Sequence, residues 1–301
     1  MKLIKLKNVE LPKVPDNTPP YANRPVPKQG GIPLHHMCGC IGGTGSGKTT
    51  RILEFLMWHD KVGTFDRLIV FSPTLHHEPK GKAFLKADHN FEITHYPEYT
   101  DALMVEEQAN MMADIQEWNK FEATKLAWEK FKKVKSADDM TMDELVLLEE
   151  CGWEKPKWKY RKEYYPCFAL LIDDHAGKKG VFNANCRGKL VEFLVAHRHH
   201  SCSVYILSQV FANFIPKQLR GGCINLWILF STKSEKHMEE IAEDVACKIE
   251  PEKFIAAWKY ATSKSQHDCL VVDYKCNDPN LMMRRNFDHI IQFDDGEELS
   301  Q

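Results

Sequence analysis

The chain has 301 residues, 43% of them hydrophobic, which suffices for one large α/β domain or two small ones. Forty basic side chains stand against forty-two acidic ones, a net charge of −2 that excludes any general attraction to nucleic acid or anionic membrane. A contact with DNA must therefore be local, or come from an assembly that concentrates a few basic groups in one channel.

No N-terminal apolar core of a signal peptide occurs, and no apolar run reaches the roughly eighteen residues of a membrane span, so a soluble, non-secreted protein with no membrane association is expected. The ten cysteines are scattered without a C-x-x-C pair and predict reduced, buried thiols. Residues 1–33 hold seven prolines, at 12, 15, 19, 20, 25, 27 and 33. Proline fixes φ and lacks a donor, so this stretch predicts an extended arm that lies across the domain, rests on a neighbouring subunit, or is partly disordered.

The apolar run Met37 to Ile41 predicts a buried strand, and a glycine-rich loop follows it. Gly42, Gly43, Thr44, Gly45, Ser46, Gly47, Lys48 and Thr49 satisfy G-x-x-x-x-G-K-[ST], the phosphate-binding P-loop. Its glycines let successive N–H groups converge on phosphate oxygens, Lys48 reaches the β- and γ-phosphates, and the Thr49 hydroxyl helps hold Mg²⁺. Thr50 opens a helix running to about Trp58, whose wide apolar face of Ile52, Leu53, Phe55, Leu56 and Met57 predicts burial and whose N-terminus faces the phosphates.

Further along, Leu68 to Phe71 predicts a parallel strand stopped by Pro73, residues 75–90 a loop with a short helix, and Phe91 to His95 another strand. Residues 98–165 change texture and predict an inserted helical unit. Ile115, Trp118 and Phe121 fall on one helical face, which predicts packing rather than base stacking, and Thr141 with Glu144 forms a capping box. The stretch Lys155-Pro156-Lys157-Trp158-Lys159-Tyr160-Arg161-Lys162 interleaves charge with aromatics and predicts a solvated linker, with a nucleic-acid contact as the alternative. Then follow a strand from Cys167 to Ile172, a helix over 185–199, strands at Ser203 to Leu207 and Ile224 to Phe230, helices at Glu235 to Cys247 and Pro251 to Ala261, and a late strand from Leu270 to Tyr274. Such alternation implies a mostly parallel sheet covered on both faces, with ligands at the strand C-terminal ends.

The run Phe168 to Ile172 ends in Asp173-Asp174, the form of a Walker B strand. The first carboxylate, Asp173, is the metal candidate together with Thr49, and Asp174 is the candidate base for an attacking water. Gln209 ends the next strand, either as a sensor of the γ-phosphate or as an ordinary surface residue. Arg220, placed just before Gly221 and Gly222, is the candidate to cross a subunit boundary and neutralise charge on a transferring phosphoryl group, with Arg198 as its rival. His197, His199 and His200 crowd into four residues with no suitably spaced cysteine pair, so no zinc site is expected there.

Taken together, GGTGSGKTT at 42–50, FDRLIVFSPT at 65–74, LLIDD at 170–174, RHHSCSVYILSQ at 198–209 and IPKQLRGGCINLWILF at 215–230 resemble the FtsK–HerA superfamily, and most closely the poxvirus-type DNA-packaging ATPases of large double-stranded DNA viruses and virophages. The resemblance covers roughly residues 35–275. It implies an α/β P-loop NTPase with a mostly parallel central sheet flanked by helices and a helical insert before the Walker B strand. Its domains would be the arm at 1–33, the ATPase domain at 34–285 with the insert at about 98–165, and a tail at 286–301.

By the same resemblance the cofactors are ATP and Mg²⁺, and the catalytic set is Lys48, Asp174, Gln209 as sensor and Arg220 as trans finger. Implied partners are double-stranded DNA, capsid or portal-vertex proteins, and further copies of the chain in a hexameric or pentameric ring, within a virion or cytoplasmic virus factory. One departure is the Asp-Asp ending, where the wider superfamily often has Asp-Glu. The alternatives are a HerA/FtsK-like helicase or DNA-transfer ATPase, and a P-loop nucleotide kinase, which would need an Arg-rich lid.

Overall fold

The computed structural model describes residues 24–27, 32, 34–134, 137–173, 182, 188–212, 214–247, 249–276, 278 and 281–293. Its elements run β1 (Met37–Ile41), α1 (Lys48–Val62), β2 (Arg67–Phe71), α2 (Pro79–Lys86), β3 (Glu92–Tyr96), α3 (Asp101–Phe131), α4 (Met142–Glu150) and β4 (Phe168–Ile172). They continue with α5 (Lys189–Ala196), β5 (Cys202–Ser208), α6 (Lys217–Gly222), β6 (Leu226–Phe230), α7 (Glu235–Val245), α8 (Pro251–Ala261), β7 (Cys269–Asp273), β8 (Met283–Arg285) and β9 (His289–Ile290). Among the described residues these strands make one nine-stranded sheet in the order β3-β2-β4-β5-β1-β6-β7-β8-β9. The six from β3 to β6 are mutually parallel, and β7, β8 and β9 are antiparallel additions at one edge.

Continuous apolar strands are what a sheet buried on both faces requires. In β4, Phe168, Leu170 and Ile172 enter the core under α3, α5, α7 and α8, while Ala169 and Leu171 enter the core under α1 and α2. Cys202, Val204 and Ile206 of β5 divide in the same way from Tyr205 and Leu207. A slip of one residue would exchange the two sets, so register is firmly specified.

One position in β1 has no room at all. A Cβ on Gly39 would lie 2.3 Å from the Trp227 ring, its cross-strand neighbour on β6. Gly39→Ala should therefore cost about 1–3 kcal/mol in a urea titration through overpacking; an unchanged midpoint would show that the indole moves aside freely.

The insert is helical, as its texture predicts. Met104, Met111, Ile115, Trp118 and Phe121 of α3 are buried in the main core, so the aromatic stripe packs and does not face solvent. Both bonds of the Thr141–Glu144 capping box form at the start of α4, and Ala127, Met140 and Leu148 make a small core of their own.

The expected solvated linker at 155–162 needs correction. Trp158 is buried edge-on against Trp118 with ring centroids 4.9 Å apart. Lys159 sits 2.5 Å from both Asp114 and Glu117, the Tyr160 hydroxyl donates to Asp114 at 2.6 Å, and Arg161 reaches Asp88 at 3.2 Å. Asp114 is buried on α3 and needs these donors, so Trp158, Lys159 and Tyr160 strap the segment to α3, while Lys155 and Lys157 are exposed as a linker's charges would be.

Other differences concern the ends of elements. The helix expected over 185–199 is described from Lys189 and tightens into a 3₁₀ turn at His197–His200. The late strand runs antiparallel because the α7–α8 pair returns the chain in the opposite direction. Beyond 285, Phe287 stacks on Phe55 at 4.9 Å and β9 pairs with β8. Of the proline-rich arm, the described residues 24–27 run without helix or strand. They are fixed to the domain by Arg24, which forms a buried ion pair with Asp66 at 2.5 Å.

Cys38, Cys40, Cys167, Cys202 and Cys269 are buried and free, and burial pushes the Cys167 and Cys269 thiols up to about 12. Cys247 is exposed. No helix among the described residues is long and apolar enough to cross a membrane.

Two histidines make the fold acid-sensitive. His59 stacks on Phe65 at 5.3 Å, and burial pulls its pKa down to about 4. His35 is lowered to about 3, first by burial and then by the charges of His197, Lys275 and Arg198. Both folded values lie below the unfolded one, so the unfolded chain takes up protons first as pH falls below 6.5, and stability drops from there toward pH 4. At about 1.4 kcal/mol per unit, His59 alone accounts for about 3 kcal/mol. Thermal melts across this window should show His59→Gln with a shallower loss than wild type; parallel curves would remove His59 as a cause.

Candidate functional site

β1 delivers the chain at its C-terminal end into a loop that only glycine can shape. Gly45 and Gly47 take φ of 76° and 99°, the left-handed region that side chains rarely adopt. At Gly42 the constraint is space: an added Cβ would stand 2.6 Å from Ser46 Oγ and 2.7 Å from Phe230. Gly43 has open space around it.

Helix α1 begins at Lys48 with Gly47 as its N-cap, no side-chain cap and no acidic residue in its first turn. The N–H groups of that turn and the positive end of the helix dipole therefore carry no side-chain cap among the described residues. Lys48 Nζ donates to the carbonyls of Gly42 at 2.8 Å and Gly43 at 3.0 Å, which folds the ammonium over the loop.

The strand order brings three distant stretches together, since β5 lies between β1 and β4. Thr49 Oγ1 donates to Asp173 Oδ2 at 3.0 Å, joining the P-loop helix to the end of β4. The Thr44 hydroxyl donates to Gln209 Oε1 at 3.0 Å, joining the loop to the end of β5. Around these pairs opens a cleft of about 450 Å³ lined by Thr44, Gly45, Gly47, Lys48, Thr49, Thr50, Asp173 and Gln209. The fold is an α/β P-loop fold.

No protein-family model and no curated protein sequence matches this chain. Among solved structures it is similar to the DNA-packaging ATPase B204 from Sulfolobus Turreted Icosahedral Virus, with a TM-score of 0.47 and 14% identity over 84% of this chain and 97% of that one. The genome-packaging NTPase B204 of Sulfolobus turreted icosahedral virus 2, solved in complex with ATP-γS, gives a TM-score of 0.42 at 13% identity, covering 83% of this chain and 95% of that one. The cytoplasmic domain of the Type VII secretion ATPase EccC from Thermomonospora curvata gives 0.38 at 14% identity, over 83% of this chain and 25% of that one.

The residues present fit a nucleotide with Mg²⁺. The first turn of α1, with neither a side-chain cap nor an acidic residue, leaves N–H groups for phosphate oxygens. The hydroxyl of Thr49 and the carboxylate of Asp173 form the small all-oxygen donor set that Mg²⁺ takes while keeping several waters.

Other sequence candidates lie elsewhere. Asp174 falls outside the described residues. Arg220 is engaged within its own chain, paired with Asp244 and stacked over the Phe211 ring at 4.5 Å, and it does not line the cleft. Arg198 precedes β5, at the sheet end opposite the P-loop, and borders a second hollow with His199 and Cys223. His197 is spent on the carbonyls of Leu194 and His35, and His200 stacks on Phe193 at 5.3 Å.

Sequence reasoning missed eight residues that line the cleft: Arg51, Glu54, Thr74, Glu78, Lys80, Leu207, Ser208 and His267. Thr74 follows the end of β2, a position where parallel strands present ligand groups, and that signal was available. Arg51 falls one helical turn after Lys48, which was also a usable sign. For His267 no motif existed.

Proposed function

We propose that the protein binds and hydrolyses ATP with Mg²⁺ and uses the reaction to translocate double-stranded DNA, packaging a viral genome into a capsid. The observation that carries the nucleotide half is the Thr49–Asp173 hydrogen bond at 3.0 Å, which places a P-loop hydroxyl against the carboxylate ending a buried strand. The DNA half is supported by the series of five motifs between residues 42 and 230 and their order.

Binding asks Lys48 to exchange the Gly42 and Gly43 carbonyls for phosphate oxygens, a change within reach of a flexible four-carbon stem. Thr49 and Asp173 would hold Mg²⁺, which when bound neutralises charge on the phosphates. Gln209 carries its amide at the end of β5, beside the loop, and is the group to orient water. Asp174, next in sequence to Asp173, is proposed as the base. For Arg220 to serve a neighbouring subunit, its pair with Asp244 must open, so assembly and activity would rise together.

The proposed assembly is a homo-oligomeric ring of five or six copies docking on capsid or portal-vertex proteins, in the virion or a cytoplasmic virus factory. The test is steady-state ATP hydrolysis by the full chain with and without double-stranded DNA, in wild type, Asp174→Asn, Arg220→Ala, and Arg220→Ala mixed with Lys48→Ala. DNA-stimulated turnover, lost in each single variant and partly restored in the mixture, is expected. Turnover indifferent to DNA with no rescue on mixing refutes the packaging motor and favours a nucleotide kinase.

A further inference from the structure

We propose that His267 forms the nucleoside wall of the cleft, contacting the ribose and base of the bound nucleoside triphosphate and thereby setting affinity for it. This rests on the nucleotide reading above and assigns the half of the ligand that the P-loop does not read.

The topology leaves a single direction for the nucleoside. Asp173 ends β4 and Gln209 ends β5, both on one side of β1, so the metal-binding end of a triphosphate chain belongs there. The chain then crosses the N-terminus of α1 and must leave on the other side of β1, over β6 and β7. Because β7 is antiparallel, with Cys269 paired to Phe230 at the C-terminal end of β6, the residues just before β7 rise at the same sheet edge as the P-loop. His267 stands there and lines the cleft beside Thr50 and Arg51.

Its ring is held in place from several directions. Nδ1 lies 3.1 Å from the Ser46 carbonyl oxygen, so it carries the proton and donates, and it stands 3.3 Å from where a Cβ on Gly47 would be. The Gln266 side-chain amide reaches Nε2 at 3.3 Å, and the His267 N–H donates to Ser265 Oγ at 3.2 Å. Behind the ring, Arg51 Nη2 reaches the His267 carbonyl at 3.4 Å and Asn286 Oδ1 at 3.5 Å, while Asp268 pairs with Arg285 at 2.5 Å and accepts from Asn286 at 3.1 Å. An exposed imidazole gains little stability from such bracing, whereas a flat aromatic fixed against a P-loop offers a stacking face with its entropy already lost.

The test separates contact with the nucleoside from mere support of the loop. Titration calorimetry on the full chain with Mg²⁺ would compare ATP-γS, which carries ribose and base, with inorganic tripolyphosphate, which carries neither. His267→Ala should weaken ATP-γS about tenfold, the scale of one lost aromatic contact to a base, and leave tripolyphosphate within about twofold. His267→Asn, whose amide reproduces the Nδ1 donor to Ser46 but not the ring, should behave like His267→Ala.

Equal losses for both ligands, no loss for either, or wild-type behaviour of His267→Asn overturns the assignment. Wild-type protein that binds neither ligand would instead sink the nucleotide reading itself, and this inference with it.

Discussion

Lys48→Ala should abolish measurable ATP turnover, a fall of at least about 100-fold, because a preorganised donor aimed at developing charge is worth about 3–4 kcal/mol in the transition state. Among the described residues the ammonium bonds only to the loop's own carbonyls, Gly42 and Gly43, so its removal leaves no buried acid unpaired there. The melting temperature of the variant should accordingly stay within a few degrees of wild type. Asp173→Asn is the companion: it keeps the shape of the end of β4 and an oxygen for Thr49, yet loses the charge that would hold Mg²⁺. Turnover should fall to a similar degree and should not return at high Mg²⁺. Hydrolysis persisting in Lys48→Ala would mean that the cleft between β1, β4 and β5 is not where the chemistry occurs.

Arg24→Ala should lower stability by about 3–5 kcal/mol, the cost of stranding a buried charge whose partner is gone. Arg24 and Asp66 have side chains only 1% and 5% exposed. Arg24 also donates through Nε to the Thr64 carbonyl at 2.6 Å, and Asp66 accepts from the Cys167 N–H at 3.0 Å. Together they tie the arm to the starts of β2 and β4. Burial pushes the Asp66 carboxyl up to about 6 even though Arg24 pulls it down.

The sign of the pH effect follows from that value. A carboxyl raised above its unfolded value contributes stability that is present at low pH and lost as pH rises through about 6, and without Arg24 the rise is steeper still. The deficit of Arg24→Ala, measured by urea titration, should therefore be smaller at pH 5 than at pH 7.5, and Arg24→Ala with Asp66→Asn should recover part of it. A variant as stable as wild type at both pH values would show that residues 24–27 do not anchor the arm.

Much of this architecture was legible because its signals are local. The P-loop and the strand ending in Asp173 carry fixed spacing, the α3 stripe repeats at helical period, and the Thr141–Glu144 box sits within one turn. What escaped depends on partners far apart in sequence. Lys159 reads as a solvated charge until α3 brings Asp114 beside it, and nothing around Arg220 in sequence announces its pair with Asp244 on α7. The direction of β7 is set by a helix pair rather than by its own residues. His267 has the same cause: nothing within residues 260–270 says that the sheet edge will lay it against Ser46, 221 positions earlier in the chain.

Helix α3 also joins two cores. Its 31 residues span about 46 Å at 1.5 Å per residue, and beyond the buried Phe121 its last ten leave the main core for the small one in which Ala127 meets Met140 and Leu148. Near its root, Glu107 accepts from Arg67 of β2 at 2.8 Å and from the Tyr96 hydroxyl of β3 at 2.6 Å. The helix is thus held near its start by two strands, and the chain after β2 runs on to Thr74, Glu78 and Lys80 at the mouth of the phosphate cleft. Insert and cleft thus share one strand, β2, as their common support.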